Sequence, residues 1–313
     1  MPSGFPPPVV RGYCDPNSYP WDGVHVSSTV KRTATRIVKP IVGDKTWQRL
    51  RRLGGAPQPQ PPAVSSRSQA PPPSPPPSGA TVDASTARAW FERRRPTYVH
   101  LAKSVQPYVP VDGVVFDVGG NIGFFTEVLA ETVGFRGTVH LFEPLRNLAD
   151  LCTENLSGKA YTPIVHAYGL GAQDESTEIF VAADGNLGWN TLIADKTQPE
   201  MTTTPIAIRA FDGTGIKDVP DFVKIDVEGA EYLVLRGLLP ALQTWETLPV
   251  ILCEIGWGES HPAWDEELAV FDELAKLGYS AQDLDGGPIE VAAIRKTTDV
   301  LLVPGDPAAQ TAE

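Results

Sequence analysis

The sequence predicts an α/β protein whose mostly parallel sheet is covered by helices on both faces. From residue 84 onward, short apolar runs typical of buried strands alternate with segments of helical periodicity. This alternation predicts parallel strands joined by helical crossovers. Two of the predicted strands end in an acidic residue at a turn that opens a helix, and ligands of such folds bind at the carboxyl ends of the strands.

The individual elements follow from the spacing of apolar residues. It predicts strands over residues 114–118, 138–143, 162–167, 222–226 and 249–254, and helices near 123–133, 145–156, 229–239 and 265–277. Pro144 stands where the first turn of a helix tolerates proline. Residues 176–182 and 205–211 have the pattern of an inserted antiparallel pair. Residues 289–294 and 299–303 have that of a closing hairpin.

The chain is predicted to contain three regions. Residues 1–55 form a basic N-terminal arm of short helices or disordered chain, which either touches an anionic membrane or partner, or is a short helical cap that rests on an acidic neighbour or is solvated. Residues 56–83 form a Pro-rich linker, with ten prolines between residues 57 and 79, too few apolar groups to offset chain entropy. Residues 84–313 form the α/β domain.

The charges of the chain are distributed unevenly. Residues 1–80 carry 10 Lys and Arg against 3 Asp and Glu, whereas residues 81–313 carry 16 against 35. An acidic body repels a phosphate backbone, so we expect no nucleic-acid partner for the main domain, whereas a cationic ligand would be tolerated.

The cysteines and the apolar runs indicate a cytoplasmic protein. Cys14, Cys152 and Cys253 have no metal-ligand spacing, which favours reduced thiols. The sequence shows no secretion signal and no run of about 18 apolar residues, so no membrane span is expected. It gives no prediction of the oligomeric state.

The first acidic strand end leads into a Gly-rich turn. Asp117 closes the apolar run 114–118, and Gly119, Gly120 and Gly123 follow it. Dinucleotide fingerprints place glycines at the first, third and sixth positions, where this turn has Asn121 and a phenylalanine at the last two. A side chain and a carboxylate there are unfavourable for a pyrophosphate but suit a sulfonium or amine. The turn therefore favours S-adenosylmethionine as the cofactor.

The second acidic strand end completes a predicted nucleoside pocket. Glu143 ends the run 138–143, twenty residues after Gly123, about where folds of this kind place an acid against ribose hydroxyls. The alternative is structural: Asp117 would cap the next helix, and Glu143 would end a strand without binding anything.

A third acidic strand end, in residues 221–231, is predicted to face the same crevice. Asp226 ends the strand 222–226, and Glu228 and Glu231 follow at a helix start, where the helix dipole favours carboxylates. Helix capping alone is the alternative for these acids. Asp226 and Glu254, at the end of the next strand, could hold a divalent cation. Because we find no histidine or further carboxylate at ligand spacing, no metal is predicted.

Four segments together resemble the FkbM-type S-adenosylmethionine-dependent methyltransferases. They are residues 116–123 (FDVGGNIG), 142–144 (FEP), 223–231 (VKIDVEGAE) and 252–255 (LCEI), and the resemblance covers about residues 90–280. It implies a class I methyltransferase (Rossmann-like) fold with a seven-stranded sheet and an antiparallel last strand. It also implies O-methylation of a hydroxyl on a sugar, glycolipid or polyketide-like product.

The resemblance also implies roles for individual residues. Asp117, Gly119, Asn121 and Gly123 would hold the methionine part of the cofactor, Glu143 would hold the ribose, and Asp226 would lie near the transferred methyl group. Gly120 and Pro144 belong to the same motifs and are included in the predicted cofactor site. The segment 186–192 resembles the family's polar loop over the cleft.

The sequence leaves the general base open. The family often has a histidine soon after the acid of the fifth strand, whereas the nearest here is His261, seven residues after Glu254. His261, Asp226 and Glu228 are therefore the three candidate catalytic residues. Five aromatic residues would suit the apolar face of an acceptor: Trp90, Phe91, Trp189, Trp257 and Trp264.

Two other classes of function stay open at this point. A nicotinamide-dependent oxidoreductase would use the same strand ends, although Asn121 and Phe124 disfavour it. A non-catalytic cofactor-binding module that assembles through the basic arm is the other alternative.

Overall fold

The structure, a computed structural model, describes residues 84–182, 190–198 and 200–305 of the chain. The described residues belong to the second of two units into which the chain divides, Pro71–Glu313. The predicted basic arm and Pro-rich linker lie outside them, as does most of the predicted loop 186–192. No helix of the described part is long and apolar enough to cross a membrane.

A seven-stranded sheet forms the centre of the domain. Its strands are β1 (Val114–Val118), β2 (Thr138–Phe142), β3 (Thr162–His166), β7 (Phe222–Ile225), β8 (Val250–Ile255), β9 (Tyr279–Gln282) and β10 (Thr298–Pro304). Their order is β3-β2-β1-β7-β8-β10-β9, with the first five parallel and β10 antiparallel to both of its neighbours. The predicted class I methyltransferase fold and its antiparallel last strand are confirmed.

Six helices cover the two faces of this sheet. They are α1 (Ala84–Glu92), α2 (Arg95–Val105), α3 (Phe124–Val133), α4 (Arg146–Asn155), α5 (Glu231–Leu242) and α6 (Trp264–Lys276). Successive strand residues alternate between faces, so that Val115 packs with helices α1 to α4 and Phe116 packs with α5 and α6. Burial on both faces explains why the strands are continuous apolar runs.

The inserted antiparallel pair is also confirmed. Strands β5 (Glu175–Val181) and β6 (Thr202–Arg209) pair in register, and β6 also pairs with the short parallel strand β4 (Gly169–Leu170) in a separate three-stranded sheet. The described part of the connection between β5 and β6 contacts the turn after β7, where the Thr191 hydroxyl donates a hydrogen bond of 2.6 Å to the carbonyl of Glu228.

The predicted closing hairpin is wrong in its first strand. Strand β10 matches residues 299–303, but its partner is β9, and residues Val291–Ala293 form one turn of 3-10 helix. The alternating pattern of residues 289–294 misled the prediction. In β9 only Tyr279 is fully buried, which leaves too little apolar signal to recognise a strand.

Candidate active site

The Gly-rich turn after β1 joins the carboxyl ends of three strands. The amides of Gly119 and Gly120 donate hydrogen bonds of 3.0 and 3.1 Å to the carbonyl of Phe142 at the end of β2. Gly119 has a φ of 81°, and a Cβ atom there would lie 1.8 Å from the carbonyl oxygen of Asp226, beyond β7. Only glycine allows this backbone approach. The turn therefore brings two predicted site motifs into contact.

Glu143 ties this turn to the end of β2. Its Oε2 accepts a hydrogen bond of 3.0 Å from the amide of Asn121, and its Oε1 accepts one of 2.8 Å from the amide of Leu145. The side chain is buried, and burial raises its pKa to about 7. Pro144 follows Glu143 in the chain and precedes Leu145, whose amide makes the second of these hydrogen bonds. Asp117, Glu143 and the glycines are thus brought together as predicted.

A buried lysine, which the sequence reasoning missed, links two of the predicted aspartates. The ammonium of Lys224 lies 3.6 Å from Asp117 Oδ1 and 3.1 Å from Asp226 Oδ2. Burial disfavours the charged lysine, but the carboxylates of Asp226 and Asp117 outweigh burial and raise its pKa above the ordinary value. Asp117 also accepts a hydrogen bond of 2.7 Å from Thr126 Oγ1.

Register explains how these three charged side chains meet. Asp117 lies opposite Lys224 in the parallel pairing of β1 with β7, and Asp226 follows Lys224 by two residues, so all three point to the same face. The sequence could have indicated the role of Lys224, since a lysine inside a buried apolar strand needs a charged partner.

A cluster of three carboxylates lies beside this lysine. Asp226, Glu228 and Glu254 each offer an oxygen, and these oxygens lie within 4.8 Å of one another. Burial, followed by the charge of Asp226, raises the pKa of both Glu228 and Glu254 well above the ordinary value. Asp299, opposite Glu254 on β10, has a pKa raised to about 6 by burial and by Asp226. We refer to Asp226, Glu228 and Glu254 as the carboxylate cluster.

The carboxylate cluster corrects one step of the sequence reasoning. We found no third carboxylate at ligand spacing beside Asp226 and Glu254, but Glu228 supplies one. Its backbone has a φ of 53°, which turns the chain back after β7 and brings the side chain to its neighbours. A divalent cation would find three oxygen ligands here.

The side chains of Glu231 and His261 form hydrogen bonds with backbone groups. Glu231 Oε1 accepts hydrogen bonds of 2.9 and 3.1 Å from the amides of Val227 and Gly229, which is the predicted capping alternative. His261 is buried, with Nδ1 accepting from the amide of Ala263 at 3.0 Å and Nε2 donating to the carbonyl of Gly229 at 2.8 Å. Burial also lowers its pKa. His261 therefore has no lone pair available for a substrate proton, and we do not retain it as a base.

Tyr98 of α2 is a second residue that the sequence reasoning missed. Its ring packs against Phe124 at the start of α3, 5.3 Å between ring centres. Burial and the nearby charge of Asp226 raise the pKa of its phenol. Tyr98 precedes every recognised motif, so nothing in the sequence marked it.

The five candidate acceptor aromatics have different environments. Phe91 is buried in the core, and Trp90 and Trp264 pack at its edges. Trp189 lies outside the described residues. Trp257, directly after β8, packs so closely on Gly229 that a Cβ there would lie 2.2 Å from its ring. Trp257 is therefore the candidate that borders the carboxylate cluster.

The chemistry of these groups fits a cationic nucleoside cofactor better than a dinucleotide. The turn is bordered by the carboxylates of Asp117, Glu143 and Asp226, and Lys224 forms ion pairs with two of them. A sulfonium and an α-amino group are favoured in such a field, whereas a pyrophosphate is repelled.

Comparison with known proteins identifies the family. Residues 117–281 match the family described as the methyltransferase FkbM domain, which is more than half of the chain. The chain belongs to the FkbM methyltransferase family. S-adenosylmethionine is accordingly the cofactor of this domain, as the sequence predicted.

Two curated relatives support this assignment. The hexuronic acid methyltransferase AglP of Haloferax volcanii is 30% identical over 138 residues, which cover 42% of this chain and 53% of the relative. Methyltransferase 1 of Beauveria bassiana is 28% identical over 182 residues, or 50% of this chain and 70% of the relative. The chain thus matches about half the length of the first relative.

Solved structures with a similar fold include two O-methyltransferases. TomG from Streptomyces achromogenes, in complex with S-adenosylmethionine, is 15% identical with a TM-score of 0.39, covering 71% of this FkbM chain and 88% of TomG. The Bacillus cereus enzyme, in complex with S-adenosylhomocysteine, is 14% identical with a TM-score of 0.40, covering 71% and 92%.

Proposed function

We propose that this FkbM methyltransferase transfers a methyl group from S-adenosylmethionine to a hydroxyl of a sugar, in a glycan, a glycolipid or a glycosylated polyketide-like product. The observation that carries the proposal is the carboxylate cluster, because its oxygens lie next to the turn that would bind the cofactor and could accept a proton there. A sugar acceptor is supported by AglP, a relative named for its action on a hexuronic acid.

The proposed cofactor site uses the residues at the ends of β1 and β2. The carboxylate of Glu143 would accept hydrogen bonds from both ribose hydroxyls. Asp117 and the turn Gly119–Gly123 would hold the methionine part, with Gly119 keeping the turn against Asp226. These contacts leave the reacting end of the cofactor toward β7 and β8, where the carboxylate cluster lies.

When bound, the cofactor supplies a methyl group on a positively charged sulfur. The chain has two tasks in the transfer: to hold the acceptor oxygen in line with that carbon at about 3–3.5 Å, and to remove the hydroxyl proton. Glu228 is the best-placed base, because its pKa is raised by burial and by Asp226 toward the range where a carboxylate removes protons effectively. Glu254, also raised, is the second candidate.

Lys224 has a separate task in this scheme. Its ammonium forms ion pairs with Asp226 and Asp117 and so holds the ends of β7 and β1 together. Together with burial, the negative charge of Asp226 raises the pKa of Glu228, and that charge would also stabilise a cation bound next to it. Lys224 therefore acts through Asp226 and not on the acceptor.

Two alternative functions, a nicotinamide-dependent oxidoreductase and a non-catalytic cofactor-binding module, were open from the sequence. Family membership decides against a nicotinamide-dependent oxidoreductase. A non-catalytic cofactor-binding module is separated from an enzyme by an assay of methyl transfer.

The test is a methyl-transfer assay on a panel of sugar glycosides, using radiolabelled S-adenosylmethionine and the full chain. We expect a product heavier by one methyl group whose label survives mild alkali, because a methyl ether is stable there and a methyl ester is hydrolysed. Cofactor binding without transfer to any sugar would contradict the sugar proposal. An alkali-labile product would contradict transfer to a hydroxyl.

A further inference from the structure

A lysine beside Trp257 has no carboxylate partner among the described residues. Lys196 ends the 3-10 turn Ala194–Lys196 in the connection between β5 and β6. Its ammonium lies 5.1 Å from the ring centre of Trp257 and donates a hydrogen bond of 3.4 Å to Ser260 Oγ. Within residues 84–182, 190–198 and 200–305, it makes no ion pair with a carboxylate, unlike Lys224 or Lys159.

The position of Lys196 is fixed by contacts with the turn that carries Glu228. The Thr191 hydroxyl donates to the carbonyl of Glu228 at 2.6 Å and accepts from the amide of Ile193 at 3.0 Å. The amide of Lys196 in turn donates to the carbonyl of Ile193 at 3.0 Å. A short hydrogen-bonded path therefore connects the backbone of Lys196 to that of Glu228.

Trp257 provides a second connection between Lys196 and the turn that carries Glu228. Its ring packs on Gly229, the residue after Glu228, and the Lys196 ammonium lies over that ring. His261 stacks on Trp257 at an interplanar angle of 16° and anchors itself on the carbonyl of Gly229. Trp257 therefore contacts both the ammonium of Lys196 and the turn that carries Glu228.

The contacts of Lys196 leave its charge and part of its hydrogen-bonding capacity for a ligand. An ammonium has three N–H donors, and Ser260 accepts one of them. An indole ring attracts a cation through its quadrupole but does not neutralise it. The carboxylate cluster repels an anion, so an anionic substituent of the acceptor would be drawn to Lys196 and held away from Glu228.

We propose that Lys196 binds a carboxylate of the acceptor, so that the preferred acceptor is a uronic acid residue whose carboxylate faces Lys196 and whose hydroxyl faces the carboxylate cluster. This inference rests on the proposed function, because it assigns the substrate class of the same site. Lys196 is a specificity-determining residue in this scheme and takes no part in proton removal.

The experiment compares matched acceptors and matched variants. The p-nitrophenyl glycosides of glucuronic and galacturonic acid are each paired with the neutral glucoside or galactoside, and kcat/KM is measured for the wild type, Lys196→Gln and Lys196→Arg. Lys217→Gln is the control, since Lys217 is exposed and precedes β7 at the opposite end of the strand. S-adenosylhomocysteine binding by titration calorimetry reports on the cofactor site of each variant.

We expect at least one uronide to exceed its neutral partner by about tenfold or more in kcat/KM, the range of a charge-assisted hydrogen bond. Lys196→Gln should remove this preference by raising KM for the uronide about tenfold more than KM for the neutral sugar, Lys196→Arg should retain the preference, and Lys217→Gln should leave the values for both sugars unchanged.

Two outcomes would overturn the inference and leave the proposed function intact: methylation of neutral glycosides at least as fast as of uronides, or an equal loss on both sugars in Lys196→Gln. Methylation of no sugar by a chain that binds S-adenosylhomocysteine would overturn the inference together with the sugar proposal.

Discussion

At the scale of single residues, Glu228 shows how local geometry produces a candidate base. A non-glycine residue at a φ of 53° is uncommon and costs of order 1–3 kcal/mol, so the surrounding contacts must hold it. They include the hydrogen bond from Thr191 to its carbonyl. The result is a carboxyl group beside Asp226 with a pKa raised well above the ordinary value.

Replacing Glu228 by glutamine should separate proton removal from cofactor binding. We expect Glu228→Gln to lower kcat by about 10²- to 10⁴-fold while S-adenosylhomocysteine affinity changes little, because the side chain keeps its size and loses only its basicity. The control is Glu246→Gln. Glu246 is exposed and precedes β8, at the amino ends of the parallel strands and away from the carboxylate cluster.

The pH profile of the same pair checks the assignment. A base acts only when deprotonated, so wild-type kcat/KM should fall as the pH drops through a pKa well above 4.5. This fall of kcat/KM at low pH should be absent in Glu228→Gln and unchanged in Glu246→Gln. Full activity of Glu228→Gln would transfer the base role to Glu254.

Sequence reasoning at this scale found the residues that lie in motifs. It brought Asp117, Glu143 and Asp226 to one edge of the sheet, and the structure places all three there. It included His261 among three candidate bases because a loop histidine carries no sign of its hydrogen bonds, which here go to backbone groups of Gly229 and Ala263. Lys224 was passed over because it lies within a run that defined a strand.

At the scale of elements, the site depends on how closely the turn after β1 approaches the end of β7. We expect Gly119→Ala to destabilise the fold by about 3 kcal/mol or more and to abolish cofactor binding, because its Cβ would lie 1.8 Å from a backbone oxygen of Asp226. Urea unfolding and S-adenosylhomocysteine titration measure the two effects.

Gly134→Ala is the matched control for this change. Gly134 also has a positive φ, 68°, but a Cβ there would meet nothing within 4 Å. The substitution should cost about 1–2 kcal/mol from backbone conformation alone and leave cofactor affinity unaltered. Equal losses of unfolding free energy and of cofactor affinity in the two variants would show that the close approach of the turn to the end of β7 contributes to neither.

Four of the strands that were predicted correctly, all in the centre of the sheet, have one property in common. Strands β1, β2, β7 and β8 are buried on both faces and bounded by polar turns, so a one-dimensional apolar pattern locates them within one or two residues. Strand β9 carries polar residues at its exposed positions and was missed. Helices α1 and α2 contain arginines and a proline, and their pattern was not recognised as helical.

At the scale of the whole molecule, buried carboxyl groups make stability depend on pH. Burial raises the pKa of Glu143 and Glu231 to about 7 and that of Glu267 to about 8. These groups bind more protons in the folded than in the unfolded state, whose pKa is near 4.5. Their contribution is therefore most favourable below about pH 4.5 and is lost as the pH rises through 7 to 8.

Glu267→Gln should weaken this pH dependence. Glu267 is 1% exposed on α6, and one of its oxygens has no hydrogen-bond partner within the described part of the chain. We expect the loss of unfolding free energy between pH 5 and pH 9 to be smaller by about 2 kcal/mol in the variant. Urea midpoints at the two pH values measure it, with exposed Glu266→Gln as the control. An unchanged difference would contradict the burial effect.

We propose that Glu143 binds the ribose of the cofactor at the end of β2, and calorimetric titration of S-adenosylhomocysteine from pH 6 to pH 9 measures this contact. Because the pKa of Glu143 is about 7, wild-type affinity should fall by about tenfold for each pH unit below 7 as the carboxyl takes up its proton. Glu143→Gln should bind at least tenfold more weakly at pH 8, with this pH dependence removed. Wild-type affinity in Glu143→Gln at pH 8 would contradict the account.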